Sequence, residues 1–417
     1  MAALGTVGVL VGGGPAPGIN GVIGAATLAA HGRGARVIGI FEGFRHLMRG
    51  SAEIQDHVRV LGREDVVAIH MQGGSILKTS RANPTQKPGD LERCVEALDA
   101  LGIEKLVTIG GDDTAFSAVA VSQAGGGRLP VVHVPKTIDN DLPLPDGVPT
   151  FGYETAREHA SNLVAGLHED GRTMNRWFFA ELMGRQAGFL SLGTGAAAGA
   201  TLTLIAEEFP EGLIRLSDVV RVVEGAVVKR LALGKSHGCA VIAEGIAERL
   251  DPDDLAEMAD VARDEHGHIK LSEIPLASTI ARLVKKSLAD RGVSLTVNAK
   301  EIGYELRCLP PCAFDREYTR DLGVGAIELL SRGETGVLVS RQGGRCVPIR
   351  FSDLIDPETE RTRVRYVDVN SDTFLHARSL QTRVEESDLA DDSMVDRLAQ
   401  ASGLAPAAVR ERYARVG

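Results

Sequence analysis

The chain has 417 residues, room for two domains of ordinary size, and its 44% hydrophobic and 24% charged residues are the balance of a folded protein rather than a disordered one. A net charge of -10 argues against nucleic acid or an anionic membrane as the principal partner, although a local basic cluster can still hold a small anion. Five scattered cysteines (Cys94, Cys239, Cys308, Cys312 and Cys346) do not form a disulfide framework, and Cys308 with Cys312 lack the further ligands a zinc site takes.

Val7 to Val11 reads as a buried strand and Gly18 to Ala30 as the helix after it. Between them runs Gly12-Gly13-Gly14-Pro15-Ala16-Pro17-Gly18. Glycines there let backbone N–H groups close on an anion, and the helix start directs positive potential at the same point. The run is neither a G-x-G-x-x-G fingerprint nor a Walker A loop, so a plain strand–helix turn is an equal alternative. Arg36 to Ile40 is a second strand and Lys105 to Ile109 a third, followed by Gly110-Gly111-Asp112-Asp113-Thr114 and a helix from about Thr114. A carboxylate at such a turn can hold Mg²⁺ bridging phosphate oxygens; helix capping explains one acid but not the double glycine. Pro130 to Val134 is the next strand, and Pro135-Lys136-Thr137-Ile138-Asp139-Asn140-Asp141 follows it. Lys136 is suited to neutralising a phosphoryl group in flight, and Asp139 to accepting a proton from an attacking hydroxyl, with a solvated polar loop as the alternative.

This βαβα rhythm predicts an α/β fold with a mostly parallel sheet, whose ligands sit beyond the carboxyl ends of the strands. A second α/β series begins near Thr150, with strands at Arg176 to Leu182, Thr201 to Ile205 and Gly238 to Ala243. Met183-Gly184-Arg185 follows the first of these, Glu244 closes the last, and Tyr304-Glu305-Leu306-Arg307 follows a further short segment. Arg offers paired planar donors for phosphate oxygens. Leu271 to Asp290 has helical spacing, Asp251 to Gly267 reads as a polar surface insertion, and the tail from about Glu385 as a polar helical region. No secretory signal and no apolar stretch of about 20 residues is present, so a cytoplasmic home is expected.

Gly-Gly-Asp, Thr-Ile-Asp-Asn-Asp and Met-Gly-Arg, in this order, closely resemble the phosphofructokinase family from Val7 to about Leu330. The resemblance implies two Rossmann-like domains with mostly parallel sheets. Residues 1–150 plus about 306–365 would bind the phosphoryl donor; 151–305 plus about 366–417, with a helical tail, would bind the sugar phosphate. It implies transfer of a phosphoryl group to the C1 hydroxyl of fructose 6-phosphate, with Mg²⁺ held by Asp112. Gly13, Gly14 and Arg81 would contact the donor, and Thr137 and Asp139 the C1 hydroxyl, Asp139 as base, with Asp141 in support. Met183, Gly184, Arg185, Glu244, Tyr304 and Arg307 would grip the sugar phosphate, and Arg176 that of a neighbouring subunit in a homodimer or homotetramer. Asp113 and Lys136 resemble pyrophosphate-using members, where ATP users carry glycine at both positions. An Asp intrudes, by bulk and charge, where a nucleotide's α-phosphate would lie. Pyrophosphate is therefore the expected donor, with an ATP-dependent enzyme or a non-catalytic fructose-phosphate-binding subunit as alternatives and sedoheptulose 7-phosphate as a second possible substrate. Asn298 falls where short members place a phosphate-binding Arg, with Lys300 beside it, and Pro15 replaces an Asp of the first loop.

Overall fold

The structure, a computed structural model, describes residues 4–256, 275–356, 358 and 362–414. Its strands in chain order are β1 (Thr6–Val11), β2 (Arg36–Ile40), β3 (Val58–Val60), β4 (Lys105–Gly110), β5 (Val131–Thr137), β6 (Phe151–Gly152), β7 (Trp177–Leu182), β8 (Leu202–Leu204), β9 (Gly238–Ala243), β10 (Val297–Ile302), β11 (Val337–Gln342) and β12 (Arg345–Arg350). The chain divides into two compact units, Met1–Ala156 with Tyr304–Arg365, and Arg157–Gly303 with Tyr366–Gly417.

In the first unit the strands run β12-β11-β5-β4-β1-β2-β3, with β6 paired to β5. The inner strands are parallel, and β3 and β12 are added antiparallel at the edges. The strands are near-continuous apolar runs because both faces are covered. On one face Val7, Val9, Val107 and Val132 pack with Val22 and Ile23 of the helix Ile19–His31 and Leu322 and Ala326 of the helix Ala313–Ser331. On the other, Leu10, Ile38, Leu106 and Val131 pack with Leu98 of the helix Asp90–Ala100 and Val121 of the helix Asp112–Ala124. Alternate strand residues therefore serve opposite faces. From β1 the chain goes to β2 on one side and reaches β4 on the other, so the order reverses between β1 and β4, the place where such sheets bind ligands.

Two boundaries beside the motifs differ from the sequence reading in ways that matter locally. The helix begins at Asp112, not Thr114, with Gly111 as its extended N-cap. Thr114 instead packs into the turn: a Cβ at either Gly12 or Gly110 would lie 2.4 Å from its hydroxyl, which is why both positions are glycine. β5 also continues past Val134 through Thr137, because Lys136 and Thr137 pair with Phe151 and Gly152 of β6.

The second unit has an all-parallel sheet in the order β10-β7-β9-β8. Trp177 and Phe179 of β7 pack with Ile242 of β9, Val223 of the helix Leu216–Ala232 and Ile280 of the helix Leu276–Ala289. The tail joins this same core: Val395 and Leu398 come from the helix Asp392–Ser402, and Val409 and Tyr413 from the helix Pro406–Tyr413. Beneath them Glu224, fully buried, accepts from Arg412 (2.6 and 2.9 Å) and from the Tyr413 hydroxyl (2.7 Å), with Arg291 2.8 Å away. Of the expected insertion Asp251 to Gly267, the short helix Pro252–Ala256 is seen and residues 257 onward lie outside the described residues, as do 271–274 of the expected helix from Leu271. Among the described residues no helix is long and apolar enough to cross a membrane.

Candidate active site

The carboxyl ends of β1, β4 and β5 bring three of the sequence motifs to one sheet edge in the first unit. Gly13, at a φ of 79° that disfavours other residues, donates its N–H to Ser80 O (2.9 Å), and its carbonyl accepts from Thr79 (2.7 Å). That pairing sets Arg81, which is exposed, beside the glycine loop. Lys136, only 4% exposed at the end of β5, donates its ammonium to Gly14 O; a Cβ at Gly13 would lie 3.6 Å from the same nitrogen. Burial pushes the Lys136 ammonium down from its ordinary 10.5 to about 8; Arg307 and Arg81 add to the effect, and Asp139 and Asp141 oppose it.

Arg307 belongs to this group. Its guanidinium carbon would be 3.9 Å from a Cβ at Gly14, and it stacks 4.8 Å over the ring of Tyr304, which is 75% exposed. Two residues expected among the sugar-phosphate contacts are thus gathered with the glycine-loop residues of the first unit. Asp112 and Asp113 occupy the first helical turn, where the helix dipole favours carboxylates; Asp112 is half-buried and Asp113 exposed. Asp139, Asn140 and Asp141 are each buried. The Asp139 N–H donates to the Thr137 hydroxyl (3.0 Å), and Asn140 has a left-handed φ of 59°.

Two supporting residues escaped the sequence reading. His133 is fully buried on β5, opposite Thr108 of β4. Its Nε2–H donates to Gly110 O (2.9 Å) and its Nδ1 accepts from the Thr108 hydroxyl (2.8 Å), so it underpins the Gly110–Gly111 turn. Burial pushes its pKa down to about 3. A histidine inside the apolar run Val131 to Val134 was the available signal. Arg365 gave none: it lies 225 positions from Asn140, yet its guanidinium donates to Asn140 O (2.9 and 3.1 Å) and Val148 O (3.0 Å).

In the second unit Met183-Gly184-Arg185 follows β7, and Glu244 follows its neighbour β9. One Glu244 oxygen accepts from the N–H groups of Gly184 (3.0 Å) and Arg185 (2.6 Å). Arg185 has a φ of 51°, so that carboxylate holds a strained backbone turn. Gly245 permits the close approach, since a Cβ there would fall 2.5 Å from Arg185 O. Arg176 is engaged within its own unit: Nε and Nη2 donate to the two carboxylate oxygens of Asp170 (2.6 and 2.8 Å), and its guanidinium lies 5.2 Å over Phe178.

Residues 6–330 match the phosphofructokinase family. The chain is 48% identical to a pyrophosphate--fructose 6-phosphate 1-phosphotransferase of Thermotoga maritima, over 98% of this chain and 97% of that one. It is 47% identical to a protein of the same name from Naegleria fowleri, over 94% and 92%. An ATP-dependent 6-phosphofructokinase of Mycobacterium tuberculosis is 35% identical over 84% of this chain and 94% of its own length. Among solved structures, a pyrophosphate-dependent phosphofructokinase from Nitrosospira multiformis superposes with a TM-score of 0.68 at 19% identity, covering 96% of this chain and 92% of that one, which shows the shared fold. With its β-strand-end motifs in the family's order and the family match spanning most of its length, the chain belongs to the phosphofructokinase family.

Proposed function

We propose that this protein transfers a phosphoryl group from pyrophosphate to the C1 hydroxyl of fructose 6-phosphate, reversibly, giving fructose 1,6-bisphosphate and phosphate in cytoplasmic glycolysis or gluconeogenesis. The observation that carries the reading is Lys136, a buried cation bonded to Gly14 O with Arg81 and Arg307 in its electrostatic field. A short, highly charged donor suits that cluster, and the names of the Thermotoga maritima and Naegleria fowleri relatives agree with it. In the forward step the C1 oxygen bonds to the terminal phosphorus, the bridging P–O bond breaks, phosphate leaves, and Asp139 takes the hydroxyl proton. Thr137 orients that hydroxyl. Gly13, Gly14, Arg81 and Lys136 hold the diphosphate and meet the charge that shifts onto the leaving oxygen. Asp113 denies space and favourable charge to a nucleotide's α-phosphate. In the second unit Met183, Gly184 and Arg185 bind the sugar phosphate, with Glu244 keeping their turn in shape. Tyr304 and Arg307 assist, and Arg176 serves a second copy in a homodimer or homotetramer.

Among the described residues no group of three or more His, Cys, Asp or Glu side chains forms a metal cage. The donor set fits Mg²⁺, which binds through one or two carboxylates plus substrate phosphates, and Asp112 with Asp141 in support would hold it. Bound there, Mg²⁺ supplies neutralisation of the diphosphate charge.

The deciding experiment measures kcat/KM with pyrophosphate and with ATP for wild type, Asp113→Gly and Lys136→Gly. Wild type should use pyrophosphate and barely use ATP. Lys136→Gly should lose about 10²–10³-fold with pyrophosphate, and Asp113→Gly should gain ATP activity. A wild type that prefers ATP sinks the donor assignment in favour of the ATP-dependent alternative. Inactivity with both donors, despite tight binding of fructose phosphates, favours the non-catalytic one.

A further inference from the structure

The segment carrying Asp139 has an unusual support. From Thr137 the chain leaves β5, turns at Asn140 with its left-handed φ of 59°, and returns at Thr150. The Thr150 hydroxyl donates to Thr137 O (2.7 Å) and its N–H to Asn140 Oδ1 (3.0 Å), closing the loop at its base. Leu142, Leu144 and Val148 anchor its far side on Leu338 and Leu354. Neither contact fills the loop's interior, where backbone carbonyls converge. Arg365 does so: Nε and Nη2 donate to Asn140 O (3.1 and 2.9 Å), Nη2 also to Asn140 Oδ1, and Nη1 to Val148 O (3.0 Å) with Leu144 O at 3.5 Å. Its backbone N–H donates to Asp141 O (2.8 Å). One planar, five-donor fork thus binds both limbs of the loop and the residue immediately after Asp139, which a lysine's point charge does not reproduce.

We propose that Arg365 is a positioning residue for phosphoryl transfer, its guanidinium holding the Thr137–Thr150 loop so that Asp139 stands in reactive register. The proposal rests on Asp139 being the base. In this role Arg365 acts through Asn140, by its carbonyl and its side-chain oxygen, and through the neighbouring backbone. Holding a reacting group within a fraction of an ångström matters because a misplacement of about 1 Å costs about 10²-fold in rate. Loss of the clamp should therefore appear in kcat and leave substrate affinity nearly unchanged.

The test uses the full chain with Arg365→Ala and Arg365→Lys, assayed for kcat and both KM values, with melting temperature as the control for folding. Arg365→Ala should lower kcat by about 10–10²-fold with each KM within about threefold of wild type. Added guanidinium ion at millimolar concentration should restore activity saturably, because Arg365 is only partly buried. Arg365→Lys should fall between and gain nothing from guanidinium. In an Asp139→Asn background, Arg365→Ala should cost less than about threefold more, since both act on one step. A folded Arg365→Ala variant with wild-type kcat overturns the proposal, and so does a kcat loss that multiplies fully with Asp139→Asn. If Arg365→Ala does not fold, Arg365→Lys decides: reduced kcat at a wild-type melting temperature supports the clamp, and unchanged kcat removes it. Near-normal turnover in Asp139→Asn alone refutes the base assignment instead, a separate outcome.

Discussion

Lys136 should set the alkaline limit of the reaction and also weaken the fold. Burial lowers its pKa from 10.5 to about 8. Below pH 8 the folded protein carries the full cost of holding this charge, about 3 kcal/mol by the pKa difference. Replacing Lys136 with Met keeps the stem and removes the charge, but Gly14 O loses its donor, which costs about 1 kcal/mol. The net is a Lys136→Met variant more stable than wild type by about 2 kcal/mol at pH 7. The sign follows from proton binding: between pH 8 and 10.5 the unfolded chain binds a proton here that the folded one does not. Wild type therefore gains stability as pH rises through that window, and the advantage of Lys136→Met vanishes by its upper end. Activity should run the other way. Lys136 is about nine-tenths charged at pH 7 and about one-tenth at pH 9. The ratio of wild-type to Lys136→Met kcat/KM, which cancels the titration of pyrophosphate itself, should hold level to pH 8. It should then fall about tenfold per pH unit. With pyrophosphate bound its negative charge favours the protonated lysine, so the break in kcat should lie higher than that in kcat/KM. A ratio flat to pH 10, or a Lys136→Met variant that melts below wild type at pH 7, would refute the reasoning.

Other outcomes follow from the same geometry. Asp139→Asn should lower kcat by about 10²–10⁴-fold with little change in the sugar's KM; near-normal turnover removes it from the base role. His133→Ala strips partners from the buried Gly110 O and Thr108 hydroxyl and should cost about 2–5 kcal/mol in urea unfolding; a loss within experimental error would show the imidazole is dispensable. His133 is neutral in the folded state down to about pH 3, so its contribution is whole above 6.5 and declines as pH falls towards 3. The variant should lack that part of the acid sensitivity. Glu224→Ala leaves Arg412 and Arg291 facing an emptied site and should destabilise the second unit by about 3–5 kcal/mol; unchanged denaturant unfolding would mean the tail docks by apolar contacts alone.

The parts of this fold that were legible in sequence are those whose cause is local. An apolar run followed by glycines and a helical period announces a strand, its turn and its helix, and the order of three such turns carries the family. Long-range pairing was not legible. β5 runs through Lys136 and Thr137 because β6 offers partners, which places the lysine on a strand end rather than in a solvated loop. Thr108 and His133 meet only once β4 and β5 are in register. Arg365 shares no motif with the loop it fills. The tail's helices show their apolar spacing at Val395, Leu398 and Ala399, but the core they enter, around Val223 and Trp177, is assembled from segments far apart in the chain.

These differences also rank the residues as indicators of function. Asp112 and Asp113 lie where a helix start stabilises carboxylates whether or not a ligand ever arrives, so their position follows from folding alone. Lys136 is the opposite case. A lysine on a strand end could be aliphatic at a gain in stability, and this one is charged and nearly inaccessible, with Asp139 and Asp141 offsetting only part of what burial, Arg307 and Arg81 impose. Arg185, held at a positive φ by the Glu244 carboxylate just past the adjacent strand, is opposed by the backbone in the same sense. Features that local physics disfavours persist only when something else requires them. An anion bound against Lys136 would remove the penalty that its burial creates. A residue that costs the fold this much is therefore a strong sign of what the site holds.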